Sequence, residues 1–147
     1  MSKIGIASDH AGYEMKEQVK AWLAEKGHTM VDFGCNSAQS ADYADYAHPL
    51  ANAVENKEVD FGVSFCGSGN GITMTLNKHQ GIRAALCWNE EISALSRAHN
   101  DANVCSMPAR FITFDTAKKI VEAFINTPFE GGRHKTRIDK MPVTGCK

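Results

Sequence analysis

The 147-residue sequence has no surplus of charge of either sign. Sixteen Lys+Arg stand against 17 Asp+Glu, for a formal net charge of -1. A dedicated nucleic-acid binder carries a strong basic excess, so nucleic acid is not an expected partner. No uninterrupted apolar run approaches the roughly 18 residues of a membrane span, so no membrane partner is expected. The opening MSKIGIASDH meets charge at once, and no signal peptide is expected. No Cys-x-x-Cys pair occurs among the five cysteines, Cys35, Cys66, Cys87, Cys105 and Cys146, and no Cys/His pair sits at zinc spacing within one loop. An odd set of thiols without a leader reads as a reducing, cytoplasmic setting, with most of the thiols serving as small buried hydrophobes. Internal repeats and low-complexity segments are absent.

What is present fits one ordinary domain. A chain near 150 residues makes about one domain and buries about 68–70% of its unfolded surface, enough to need no disulfide or metal staple. Hydrophobic residues at 43% and charged residues at 22% match globular averages. Apolar runs at Lys3–Ala7, Thr29–Phe33, Phe61–Cys66, Ala84–Cys87 and Val104–Met107 read as strands. Helical stripes alternate with them: Met15, Val19, Trp22 and Leu23, stopped by Gly27; Ala47, Leu50, Ala51 and Val54, with Pro49 expected in the first turn; Ile92, Leu95 and His99 after an Asn89 cap; and Ala117, Ile120, Val121 and Phe124. This β-α-β-α rhythm predicts an α/β fold, a three-layer α/β/α domain with a five-stranded parallel sheet of Rossmann-like type. One domain spans 1–147, and the stretch after Pro128 reads as a basic tail.

Ligands of such sheets bind beyond the carboxyl ends of the strands. The residues there are chemically rich: Ser8, Asp9 and His10 after the first strand, Cys66 to Gly71 after the third, Trp88 and Asn89 after the fourth, and Pro108 to Arg110 after the fifth. In Cys66-Gly67-Ser68-Gly69-Asn70-Gly71 three glycines let backbone N–H groups turn toward a phosphate or a developing oxyanion. The spacing is not G-x-G-x-x-G, no Lys-Ser/Thr follows, and no Arg stands six residues after Cys66. The dinucleotide fingerprint, the P-loop and the thiol-phosphatase loop are therefore excluded. A thiol entering such a turn can act as base or nucleophile.

Asp9 also suits a cap, as do Asp42 and Asp45, and Tyr46 suits the core. His99 and Asn100 close the fourth helix, where a His also serves as a dipole partner. His28, His48 and His79 have no such companions and read as surface residues. In the tail, Gly131-Gly132-Arg133-His134-Lys135-Thr136-Arg137 is either a solvated face or a phosphate grip, since two guanidinium groups four residues apart match a phosphate bidentately. Arg110 is a third candidate for that grip.

Taken in order, Ser8-Asp9-His10-Ala11-Gly12, Asp42-Tyr43 with Asp45-Tyr46-Ala47, Cys66–Gly71, Asn77-Lys78, Gly81-Ile82-Arg83-Ala84, His99-Asn100-Asp101-Ala102-Asn103-Val104 and Gly131-Gly132-Arg133-His134 resemble the ribose 5-phosphate isomerase B family, which includes galactose 6-phosphate isomerases. The resemblance implies aldose–ketose isomerisation of a phosphosugar through a cis-enediolate, with no metal and no other cofactor. It implies Cys66 as the base, since Ile72 stands where another branch of the family has a Glu base. His99 with Ser68 would open the sugar ring, and the amides of Gly67, Gly69, Asn70 and Gly71 would hold the enediolate. Asp9, Tyr43 and Asn100 would bind sugar hydroxyls; His10, Arg110, Arg133 and Arg137 would bind phosphate; Lys78 would support the loop. Ser68, Leu76 and Pro108 depart from the common Thr, Ala and Gly. A homodimer or homotetramer is implied, with sites at the subunit interface and the tail, about 128–147, packing on the partner. Two alternatives remain: an isomerase of a six-carbon phosphosugar (galactose 6-phosphate or allose 6-phosphate) and a non-catalytic phosphosugar-binding module.

Overall fold

The computed structural model describes residues 1–143. Five strands form one parallel sheet: β1 (Lys3–Ser8), β2 (Thr29–Asp32), β3 (Phe61–Cys66), β4 (Ala84–Leu86) and β5 (Val104–Pro108). Their spatial order is β2-β1-β3-β5-β4, and every neighbouring pair is parallel. The chain steps from β1 outward to β2, then returns to the far side of β1 as β3. The crevice beyond the carboxyl ends of β1 and β3 is thus a topological switch point, where open sheets of this type take ligands.

Six α-helices complete the layers: α1 (Tyr13–Glu25), α2 (Tyr43–Glu55), α3 (Asn70–Leu76), α4 (Glu90–Asn100), α5 (Phe114–Asn126) and α6 (Arg133–Ile138). The apolar stripes read from the sequence decide which face α1, α2 and α5 cover. By contrast α4 buries Ser93, Ser96 and Ala98, and Leu95 of its expected stripe is exposed, because small residues fit the close approach of α5. Val19 and Leu23 of α1 and Ala117, Ile120, Val121 and Phe124 of α5 pack on Ile4, Ile6, Val63, Phe65, Cys105 and Met107. On the other face Ala47, Leu50, Ala51 and Val54 of α2 meet Ile72 and Leu76 of α3, Ala7, Cys66 and Val104. Alternate residues of β3 (Phe65 on one side, Cys66 on the other) enter opposite cores, as the period of two in a strand requires.

Two details of the structure differ from expectation. Pro49 lies inside α2 rather than in its first turn. It is tolerated because Pro49 and Asp45, whose carbonyl loses its helical partner, both face solvent. The basic tail is not featureless: Arg133–Ile138 forms α6, which packs against α4 and buries His134 and Ile138. Cys35, Cys87 and Cys105 are free and buried, as expected of structural thiols; Cys66, the expected base, is free and buried too, and Cys146 lies outside the described residues.

One charged cluster aligns β2 with the site. The Lys16 ammonium is fully buried and donates to Glu17 at 2.6 Å and to Asp32 at 2.7 Å, while Lys20 reaches the same Asp32 oxygen at 2.8 Å. The other Asp32 oxygen accepts the Gly34 N–H at 2.8 Å. The turn fixed in this way gives its Gly34 carbonyl to the Ser8 amide at 2.7 Å, and its Cys35 amide donates to Ser8 at 2.9 Å. A partly buried charge cluster so placed orders the end of β1, where Asp9 and His10 begin.

Candidate active site

The carboxyl ends of β1, β3 and β5 bring one half of the expected residues together. Asp9 follows β1, is 6% exposed, and caps a single 3₁₀ turn (His10–Gly12) by accepting the Gly12 N–H at 3.1 Å. The capping role and a ligand role are compatible, because the bond engages Oδ1 alone. His10 is half-buried. Its Nδ1 lies 3.1 Å from the Ala41 amide nitrogen and 3.2 Å from the Ala41 carbonyl. That contact leaves Nε2 as the nitrogen available to a ligand.

Cys66 ends β3 and is 3% exposed. Its carbonyl accepts the Ala109 N–H at 2.9 Å, and the Gly67 carbonyl accepts the Arg110 N–H at 3.0 Å, so the loops after β3 and β5 are bonded side by side. The Arg110 guanidinium lies over Gly67: a Cβ there would stand 3.2 Å from its Nη1. Gly69 takes the left-handed conformation, φ 78°, that reverses the chain into α3. Thr73 and Thr75 hydroxyls donate to the Gly69 and Gly71 carbonyls at 2.6 and 2.9 Å, anchoring the loop to the helix behind it. Ser68 is exposed at the crest, and its Oγ accepts the Asn70 N–H at 3.3 Å. Tyr43, the first residue of α2, lays its ring on Gly71, with room only for a hydrogen there. Asp42 occupies the N-cap position of α2 without a side-chain bond. These positions form an open shelf with a buried thiol at its base.

The other half stands at the opposite end of the sheet. His99 and Asn100 close α4, which runs back from β4 to the amino end of β5. The length of β5, about 13 Å at roughly 3.3 Å per residue step, separates that end from Cys66, which pairs with Pro108. Arg133 and Arg137 sit exposed on α6 against the same end of α4. Arg110 therefore does not join them within one chain. An open groove of about 590 Å³ runs past this end, lined by Lys78, Arg83, Asn100, Ile138 and Pro142 among others; none of Cys66–Gly71 lines it.

Three readings of single residues change. The glycine-loop support expected of Lys78 comes from Thr73 and Thr75, while Lys78 is exposed and its neighbour Asn77 brackets Ala84 with bonds of 2.8 and 2.9 Å. His28 and His79 are half-buried rather than surface residues; His79 bonds His48 at 2.7 Å and Glu55 at 3.2 Å. Glu130, beside His99 at 3.9 Å, was not flagged by any motif; only its spacing of four from His134 hints at it.

A sequence model of the ribose/galactose isomerase family matches residues 4–141. The chain belongs to that family. It is 41% identical over 141 residues to ribose-5-phosphate isomerase B of Escherichia coli, covering 96% of this chain and 95% of that protein. Among solved structures, the ribose 5-phosphate isomerase of Thermotoga maritima superimposes with a TM-score of 0.95 at 45% identity, covering 96% of this chain and 97% of that one. Ribose-5-phosphate isomerase B of Mycoplasma genitalium, solved with bound ribulose-5-phosphate, gives 0.90 at 42% identity, with 95% and 93% covered. The matched segment includes both halves of the divided constellation. Among the described residues no helix of this isomerase-family chain is long and apolar enough to cross a membrane.

Proposed function

We propose that this isomerase-family protein interconverts ribose 5-phosphate and ribulose 5-phosphate through a cis-enediolate, without a metal or other cofactor, using Cys66 as the base. The observation that carries the reading is a buried thiol at the root of a glycine loop whose left-handed Gly69 turns the chain into α3. The hydrogen beside a carbonyl is weakly acidic, so its removal needs both a base and a stabiliser for the oxyanion that forms. Cys66 takes the proton from C2 of the aldose and returns it at C1, while the O2 hydroxyl proton passes to O1, so that C2 becomes the carbonyl carbon. The amides of Gly67 to Gly71 accept the charge that develops on the enediolate oxygens, a contribution of about 3–4 kcal/mol per well-placed donor in acyl-transfer precedents.

The cyclic aldose must first open, moving one proton off the anomeric hydroxyl and another onto the ring oxygen. His99, with Ser68, carries that step. Since β5 stands between His99 and Cys66, the His99 that serves a given thiol belongs to a neighbouring copy of the chain. That copy also brings Asn100 to the sugar and Arg133 and Arg137 to the phosphate, joining His10 and Arg110. The exposed Arg133, Lys135 and Arg137 of α6 suit such a docking. Asp9 and Tyr43 hold sugar hydroxyls from the shelf side.

The test is an isomerase assay on ribose 5-phosphate with a Cys66→Ala control. The variant is expected to keep its melting temperature and its protection by ligand while losing turnover by at least about 10²-fold, the scale of a removed general base. Near-normal turnover in Cys66→Ala removes the thiol from the mechanism. A kcat/KM higher on galactose 6-phosphate than on ribose 5-phosphate moves the substrate to six carbons.

A further inference from the structure

His99 has a close aromatic neighbour on α6. His134, on the first turn of α6, stacks on the His99 ring with centroids 4.3 Å apart and planes 10° from parallel. His134 is 7% exposed, and its Nε2 is buried without a hydrogen-bond partner among the described residues. Glu130 lies at the edge of both rings, its Oε1 3.9 Å from Nε2 of His99 and 3.5 Å from Nε2 of His134. The Glu130 N–H donates to the Ala98 carbonyl at 3.0 Å, which ties this segment to the last turn of α4.

Two imidazoles and a carboxylate so close also suggest a metal. The stack argues otherwise. Ring nitrogens bind metal through lone pairs in the ring plane, and near-parallel planes carry those lone pairs side by side rather than to one point. Arg133 and Arg137 place further positive charge beside the pair.

The arrangement instead suits proton transfer. The His99 side chain is 40% exposed at a helix end, where its two torsions are otherwise free. A proton moves efficiently only along an aligned hydrogen bond, so the plane of the ring matters. Two imidazolium rings in a face-to-face stack repel, which disfavours a second positive charge on His134. Burial, reinforced by His99 and Arg133, pushes His134 below its ordinary range and outweighs Glu130. The shift favours a neutral His134 as the plate under His99.

We propose that His134, stacked under His99 with Glu130 at the edge of both rings, is a positioning residue that fixes the His99 ring plane for opening the cyclic sugar. This role rests on the isomerase reading above. The chemistry of the substrates isolates it. With its C5 oxygen esterified, ribulose 5-phosphate cannot close a five-membered ring and arrives open. Ribose 5-phosphate arrives mainly cyclic.

The test compares two rates for the full chain and for His134→Ala and His134→Phe: kcat/KM for isomerisation of ribose 5-phosphate, and exchange of the C1 hydrogen of ribulose 5-phosphate with deuterated water, which needs the enediolate but no ring step. For His134→Ala, isomerisation is expected to fall roughly tenfold, part of the range of a general acid–base contribution, while C1 exchange stays within about twofold. His134→Phe keeps a flat ring and is expected to recover most of the loss. An equal loss in both rates, no loss, or no recovery in the Phe variant overturns the positioning role. A wild-type chain inactive on both pentose phosphates overturns the substrate reading, and the role with it.

Discussion

Gly71 is the position where the glycine loop and the expected sugar-binding tyrosine can be tested together. It lies in the first turn of α3, and a Cβ there would stand 2.5, 2.7 and 2.8 Å from Cζ, Cε2 and Cε1 of Tyr43. Carbon atoms rest at about 3.5–4.0 Å, so Gly71→Ala drives the Tyr43 ring back by roughly 1 Å. The ring is 41% exposed, and the clash is with its far end, so the retreat disturbs little packing. In a helix Ala is better than Gly by up to about 1 kcal/mol. Stability is therefore expected to hold or rise, by roughly 3 °C in Tm for a domain of this size. Catalysis is expected to suffer, because a misplacement near 1 Å costs up to about 10²-fold. The measurements are a thermal melt and kcat/KM on ribose 5-phosphate for Gly71→Ala, Tyr43→Ala and the double variant. If the glycine acts through the tyrosine, Gly71→Ala adds nothing in the Tyr43→Ala background. Fully additive losses, or a single Gly71→Ala variant within twofold of wild type, refute the coupling.

Two further expectations concern the frame around the site. Burial pushes the Asp32 carboxyl up, but Lys16, Lys20 and the Gly34 N–H together outweigh it and hold the group below its ordinary range. A carboxyl depressed on folding contributes stability above its unfolded pKa, near 4, and loses it as pH falls through the folded value. Asp32→Asn should therefore flatten the acid limb of Tm against pH, while costing about 1–3 kcal/mol at neutral pH by leaving the buried Lys16 with Glu17 as its remaining carboxylate partner; an unchanged acid limb refutes this. In the core the Ser64 and Ser106 hydroxyls bond each other at 2.7 Å. Ser106→Ala should cost about 1–3 kcal/mol in urea melts by leaving Ser64 unpaired, and adding Ser64→Ala should recover part of it; a double variant less stable than the single one refutes the pairing.

Hydrophobic period carried most of the fold. Each strand core and the stripes of α1, α2 and α5 lie where the residues place them, because apolar spacing reports which face of an element is buried; α4 departs, burying Ser93, Ser96 and Ala98 and leaving Leu95 exposed. It does not report which strand lies beside which, so the insertion of β5 between β3 and β4 had no sequence signal. Local rules failed where tertiary context outweighed them: Pro49 sits mid-helix because its side of α2 faces water. The six residues of α6 hold against α4 by His134 and Ile138, too few apolar positions to mark a period. The site was legible as a set of residue types but not as a place. Its motifs follow one another along the chain, yet half of them close a helix and half follow a strand. In a parallel α/β sheet those are opposite ends, and element order alone assigns Cys66 to one and His99 to the other.

This division has a quantitative consequence. If each site takes Cys66 from one chain and His99 from its neighbour, Cys66→Ala and His99→Ala chains are each defective at every site of their own homodimer. A mixed dimer differs. One of its sites receives both substitutions, and the other receives neither. With free exchange about half of all dimers are mixed, and half of their sites are intact, so an equal mixture should recover about a quarter of wild-type activity. Mass spectrometry of intact complexes, with one chain isotopically heavy, shows whether exchange has occurred. Recovery that tracks the mixed species, and vanishes when exchange is blocked by crosslinking beforehand, places the two residues on different chains. Full exchange without recovery means that Cys66 and His99 act within one chain or not in one site, and the shared-site mechanism fails.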